Sequence, residues 1–186
     1  MVEVKVIKKY VTSDVLNELN SWTLNNYKKP FFNESVYMNS GGTRYTTRQC
    51  VNRNRDWMFN YPNAVYNLQK RICTDFSIEN EPVIPVGKNG IVTGIGLEND
   101  YIEEHTDPIW VENTETIHFN IISQKSNIGG ITIIENKMYD IDEGDLLVIN
   151  VSKHKHKVSK TSGNVSRILY VFGFCLTNKK IKDIFI

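Results

Sequence analysis

The run EEHTDPIW places His105 and Asp107 two residues apart, and the run VINVSKHKHKVSK places His154 and His156 two apart among lysines. Each spacing has a chemical meaning. On an extended strand, alternate residues project from one face about 7 Å apart along the backbone, so His105 and Asp107 offer an imidazole and a carboxylate to one ion. A third ligand from a distant strand completes a two-histidine, one-carboxylate set, which binds Fe(II) on one face and leaves three positions open. Either His154 or His156 can be that ligand, because residues two apart on a strand share a face. Without a third ligand, an HxD pair makes only a surface ion pair or a hydrogen-bonded turn.

The elements that must bring these residues together are readable from periodicity. Val2, Val4 and Val6 alternate with Glu3 and Lys5 as in a half-buried strand. Residues 13–27, SDVLNELNSWTLNNY, carry apolar positions at helical spacing behind a Thr12 or Ser13 cap. A polar, glycine-containing segment follows, and Pro62 then fits the first turn of a second helix over residues 62–76. From about Ile84 the texture changes to short β-like runs separated by turn residues: GIVTGIGL, YIEEHTD, TIHFNIIS, GGITIIE, GDLLVINV, HKVSK and SRILYVFGFCL. Such regular short strands predict an antiparallel sandwich or barrel, and the two preceding helices make the chain α+β, with helices packed on one face.

Composition sets bounds on the whole. The 186 residues are 40% hydrophobic and 11% aromatic, enough for one domain with a substantial core. A single domain over residues 1–186 is expected, with 1–83 as helical and loop support and 84–178 as the β core. The net charge of +1 argues against a histone-like or strongly acidic binder. Charge is nevertheless uneven: residues 98–116 are acidic, whereas Arg44, Arg48, Arg53 and Arg55 make a basic segment. Cys50, Cys73 and Cys175 match no metal or CxxC spacing and read as packing residues in a reducing compartment. The N-terminus lacks a signal-peptide core, and no run approaches the roughly 20 apolar residues of a membrane span, so a cytoplasmic protein with no membrane partner is expected.

Between Ile84 and Cys175 the chain resembles the 2-oxoglutarate- and Fe(II)-dependent dioxygenases, in particular their prolyl-hydroxylase-like branch. The resemblance lies in an ordered set: a strand and an Asn99-Asp100 turn, HTD, the apolar strand IHFNIIS, a Gly-Gly hairpin, EGDLLVIN, a His-x-Val, and an arginine opening the last apolar strand. It implies a double-stranded β-helix, a jelly-roll or cupin-like barrel, with iron at its open end. It also implies iron ligation by His105, Asp107 and one of His154 or His156, and a pairing of Arg167 with the distal carboxylate of 2-oxoglutarate. A guanidinium suits that task because it forks onto a carboxylate in a bidentate way that lysine cannot. Two departures stand out. Gly163 and Arg167 are separated by NVS, so the last hairpin differs in length, and no motif marks the hydroxyl that often supports the co-substrate. Tyr101, His118 and Asn120 are the candidates for that support.

Context separates the two histidines. His156 is followed by Lys157 and Val158, a family-like x-Val, and stands 11 residues before Arg167, close to the family's spacing. The apolar run LLVINV ends at Val151, so residues 152–155 read as an exposed turn in which His154, flanked by Lys153 and Lys155, is solvated. His156 is therefore the expected iron ligand.

The resemblance implies oxidation of a prime substrate with release of succinate and CO2, using O2. With the carboxylate of Asp107 present, hydroxylation is the default outcome, and desaturation or ring formation stays open. Arg44, Arg48 and Trp110 are candidates for receiving an acidic or amino-acid-like group. A small molecule or an amino-acid side chain, free or in a peptide, is the expected substrate, because the chain is little larger than the core barrel. Two other readings stand beside it. One is a nucleic-acid base oxidised in a flipped or single-stranded state, tracked by the Arg44 to Arg55 segment. The other is a non-catalytic jelly-roll binding module.

Overall fold

The computed structural model describes residues 2–29 and 60–186, together with the backbone of residues 33–34 and 48–50. In chain order the elements are β1 (Val4–Ile7), α1 (Ser13–Asn26), β2 (Asn33–Glu34), β3 (Arg48–Cys50), α2 (Asn63–Phe76), β4 (Ile91–Gly96) and β5 (Ile102–His105). There follow β6 (Glu115–Gln124), β7 (Thr132–Ile134), β8 (Lys137–Tyr139), β9 (Leu146–Asn150), β10 (His156–Val158), β11 (Arg167–Leu176) and α3 (Asn178–Phe185).

These strands form a larger antiparallel sheet in the order β1-β9-β6-β11-β4-β3-β2 and a smaller one in the order β5-β10-β7-β8. From β4 onward the chain passes back and forth between the two sheets. That alternation is the double-stranded β-helix, and it brings residues far apart in sequence to the same end of the barrel.

Side-chain alternation sorts the long strands into two cores. On β11, Ile168, Tyr170, Phe172, Phe174 and Leu176 face the helices, where they pack with Leu16 and Leu19 of α1, Val65, Leu68 and Ile72 of α2, and Ile181 and Ile184 of α3. Leu169 and Val171 face the other way, into the barrel, as do Ile122 of β6 and Leu147 and Ile149 of β9. Tyr170 fixes α1 to the sheet: its hydroxyl donates to Leu19 O at 3.0 Å and lies 2.7 Å from Thr23 Oγ1. The free thiols of Cys73 and Cys175 are half-buried and buried, respectively. Among the described residues no helix is long and apolar enough to cross a membrane.

The seven β-like runs expected after Ile84 are all strands, and three local features differ from expectation. The hairpin between β7 and β8 turns at Glu135 and Asn136, both with positive φ (46° and 62°), rather than at Gly129-Gly130. The glycines instead let the chain pass close to its neighbours, since a Cβ on Gly129 would lie 1.8 Å from Lys160 O. Helix α3 was not anticipated because its eight residues hold only two deeply buried anchors, Ile181 and Ile184. Pro62 occupies the N-cap of α2 and not its first turn.

The DEGD turn before β9 is held by Asp145, whose side chain is 2% exposed. Its carboxylate accepts from Lys9 N at 2.9 Å, Asp142 N at 3.0 Å and Lys8 Nζ at 2.7 Å. Asp145→Ala leaves two backbone N–H groups without that acceptor and is expected to lower unfolding stability by about 2–3 kcal/mol, read from urea denaturation. A midpoint equal to that of the unsubstituted protein would show that the turn holds itself.

Candidate functional site

Strands β5 and β10 pair so that His105 and His156 stand directly opposite each other, with ring centroids 4.2 Å apart. Asp107 reaches them by a different route from the one expected. Strand β5 ends at His105, and Pro108 has no N–H with which to continue a ladder. The chain instead crosses toward the larger sheet, where Asp107 N donates to Val151 O at 2.9 Å and Thr116 Oγ1 donates to Pro108 O at 2.7 Å. The carboxylate is thus placed by the end of β9, not by the face of a shared strand. One ligand atom each from His105, Asp107 and His156 lies within 4.8 Å of the others.

Backbone carbonyls set the tautomers. His105 Nδ1 lies 2.7 Å from Glu103 O, and His156 Nδ1 lies 3.2 Å from His154 O. A carbonyl only accepts, so each Nδ1 carries the proton, and in a neutral ring Nε2 is left with its lone pair for a metal. Burial pulls the His156 pKa down to about 4, against the opposing pull of Asp107. That ring is neutral at pH 7. Burial acts to raise the Asp107 pKa, but the imidazoles of His105, His118 and His156 around it outweigh burial and hold the carboxyl well below its usual range. Two imidazole nitrogens and one carboxylate make a donor set suited to a divalent cation.

His154 is buried, not solvated, at 7% exposure. Its Nε2 accepts from Glu3 N at 3.0 Å, which leaves the proton on Nδ1, and Nδ1 faces Glu135 Oε1 at 3.7 Å. The ring therefore ties the N-terminal strand to the β7–β8 hairpin and turns neither nitrogen to the cluster. The flanking lysines misled because Lys153 and Lys155 are exposed while the residue between them points inward.

Arg167 begins β11 with its side chain inside the barrel and is 5% exposed. Its NH2 group donates to Thr132 Oγ1 at 3.4 Å, its Nε has no hydrogen-bond partner, and among the described residues no carboxylate lies within ion-pair distance. Burial alone lowers its pKa to about 10, so the guanidinium stays charged at neutral pH. Gly130 makes room for it, since a Cβ there would come within 2.8 Å of Arg167 Cδ. A cavity of about 20 Å³ beside it is lined by Ile122, Ser126, Gly130, Thr132 and Ile141 among others. A buried cation in such surroundings calls for an anion.

No protein-family model and no curated protein matches the sequence. Solved structures do match. A prolyl-4-hydroxylase from Pseudomonas putida aligns over 96% of this chain and 94% of its own, at 9% identity and a TM-score of 0.65. A Trichoplax adhaerens prolyl hydroxylase, solved with a peptide fragment of the hypoxia inducible factor oxygen degradation domain, aligns over 98% and 87%, at 14% identity and a TM-score of 0.68. HygX from Streptomyces hygroscopicus, solved with nickel and 2-oxoglutarate, aligns over 95% and 84%, at 10% identity and a TM-score of 0.59. The fold is that of the 2-oxoglutarate and Fe(II) oxygenases.

Within this double-stranded β-helix the other expected site residues take varied places. Asn120 faces the barrel interior on β6, two residues from His118, and its Oδ1 is buried without a partner. Tyr101 is half-buried just before β5, at the end of that strand away from His105. Trp110 is 39% exposed in the loop after Asp107, beside exposed Ile109 and Val111. Arg44 lies outside the described residues, as does the side chain of Arg48. Two contacts were not foreseen. Thr132 partners Arg167, and His118 stands by Asp107, with Nε2 3.5 Å from Oδ2. Neither belongs to a sequence motif; only the inward phase of the two strands could have pointed to them.

Proposed function

We propose that this chain is an Fe(II)- and 2-oxoglutarate-dependent oxygenase that hydroxylates an amino-acid side chain of a peptide. The observation that carries the reading is the buried guanidinium of Arg167, which has no carboxylate partner among the described residues and shares a barrel with the His105, Asp107 and His156 cluster. A dicarboxylic keto acid fits both ends of that arrangement. The peptide class is supported by the likeness to the Trichoplax enzyme solved with its peptide fragment, and by the exposed Ile109, Trp110 and Val111 beside the cluster.

His105 Nε2, His156 Nε2 and a carboxylate oxygen of Asp107 would hold the iron. Arg167 and Thr132 would receive the far carboxylate of 2-oxoglutarate, and Asn120 offers its amide along the way. Leu169, Val171 and Ile122 wall the interior and exclude water from it. When bound, Fe(II), 2-oxoglutarate and O2 supply the oxidation, in which one oxygen atom enters a substrate C–H bond, the other enters succinate, and CO2 leaves. The protein's part is to orient these reactants and to shield them. A non-catalytic module has no need of three converging ligands together with a buried cation. The nucleic-acid reading leans on the Arg44 to Arg55 segment, most of which lies outside the described residues.

Anaerobic titration of Fe(II)-loaded protein with 2-oxoglutarate is expected to produce a metal-to-ligand charge-transfer band in the visible. Admitting O2 should form succinate, slowly alone and faster with a substrate found in a peptide screen. Iron-loaded protein that gives neither the band nor succinate would rule the reading out.

A further inference from the structure

His118 has no part in the functional reading so far, and its surroundings are unusual for an imidazole. It points into the barrel from β6, where its cross-strand neighbours are Ile149 of β9 and Gly173 of β11. The space at Gly173 is taken by Ile84, whose Cδ1 would lie 2.3 Å from a Cβ at that position. The ring is therefore flanked by aliphatic side chains, and its side chain is only 15% exposed. A largely buried imidazole in apolar surroundings is unfavourable unless a polar group faces it. Among the described residues one does, namely Asp107 Oδ2, 3.5 Å from His118 Nε2. The other oxygen of the same carboxylate, Oδ1, lies 3.4 Å from His105 Nε2, on the side of the cluster. Asp107 is thus held between two imidazoles, one on each oxygen. An ionised carboxylate only accepts, so a hydrogen bond across the 3.5 Å contact has to be donated by His118 Nε2.

We propose that His118 is a positioning residue for Asp107, holding Oδ2 so that Oδ1 alone is presented to the metal. The proposal rests on the metal-binding part of the reading above. A carboxylate free to turn can offer both oxygens to one cation and occupy a position that a co-substrate or O2 needs. A partner on Oδ2 prevents that rotation, and hydrogen bonds of this kind to metal ligands are typically worth about 10–100-fold in metal affinity. The neighbouring anchors cannot substitute for it, because the hydrogen bonds from Asp107 N and to Pro108 O fix the backbone and leave the carboxylate torsion free.

The test compares His118→Leu with His118→Gln, whose amide nitrogen reaches close to the position of the imidazole Nε2 and keeps a donor. Mn(II) affinity of metal-free protein and the visible spectrum of its Co(II) form are measured, and neither requires turnover. H118L is expected to bind Mn(II) at least about tenfold more weakly and to give a Co(II) spectrum of altered intensity, while H118Q keeps the affinity within about threefold and the original spectrum. Should H118L lose its native circular dichroism, His118→Met serves as the variant without a donor, since methionine adapts to irregular core space. Wild-type affinity in the variant lacking a donor overturns the proposal, and so does an H118Q that loses as much as that variant. Unsubstituted protein that binds no Mn(II) would instead remove the metal-site reading itself.

Discussion

His156→Ala is expected to fold and to hold no stoichiometric Fe(II), whereas His154→Ala is expected to keep the metal within a few-fold and to lose stability. The two rings lie two residues apart yet have opposite surroundings. His156 has Nδ1 on a carbonyl and its ring against His105, so removing it deletes one of three converging donors. A two-ligand remnant cannot hold Fe(II) at the concentrations of an ordinary assay. His154 has Nε2 committed to Glu3 N and Nδ1 turned to Glu135. Its loss leaves the half-buried Glu3 N–H without its acceptor and removes a buried ring, at a stability cost of about 1–3 kcal/mol. What His156 takes from its neighbour is the main-chain carbonyl of residue 154, which alanine keeps. Iron stoichiometry by metal analysis and a urea midpoint separate the two effects. Loss of iron in His154→Ala with retention in His156→Ala would transfer the ligand role to residue 154.

Arg167→Leu is expected to move two quantities in opposite directions. In the co-substrate-free protein the guanidinium is buried, contacts Thr132 at 3.4 Å and has Nε unpaired, so leucine in its place relieves an unfavourable burial. Replacing buried charge with apolar volume is often neutral or stabilising. The melting temperature without 2-oxoglutarate should therefore stay the same or rise. With 2-oxoglutarate present the sign reverses. Losing one side of a buried charge-assisted pair costs on the order of 2–5 kcal/mol, so affinity for the keto acid should fall by well over tenfold while Fe(II) or Mn(II) binding is kept. Calorimetric titration of 2-oxoglutarate into metal-loaded protein measures the first effect and a metal titration the second. An unchanged keto-acid affinity would mean that another cation receives the carboxylate, and a lowered melting temperature in the free protein would mean that Arg167 has a structural partner.

What could be read in advance follows from the range over which each feature is encoded. Strand alternation in β6 and β11 and the apolar spacing of α1 and α2 are properties of neighbours within a few residues, so they are written in the order of the chain. The HTD and HKHKV runs disclosed donor types, and their flanks favoured His156 over His154. The sequence alone therefore determined the two helices, the succession of short strands, the supply of possible ligands and the presence of an arginine at the start of β11. The position of each donor was decided elsewhere. Asp107 leaves the strand of His105 and is anchored on Val151 of the opposite sheet, a contact between residues 44 positions apart that no local pattern records. His154 lies inside because a backbone N–H at Glu3 and a carboxylate at Glu135 converge on it, against the local sign of two lysines. His118 and Thr132 acquire their partners only when the chain, crossing between sheets, stacks β6 and β7 against the segment after β5 and the start of β11. Local periodicity is fixed by the backbone's own geometry, whereas which side chains share the barrel interior is fixed by pairing registers between distant strands, and those registers exist only in the folded molecule.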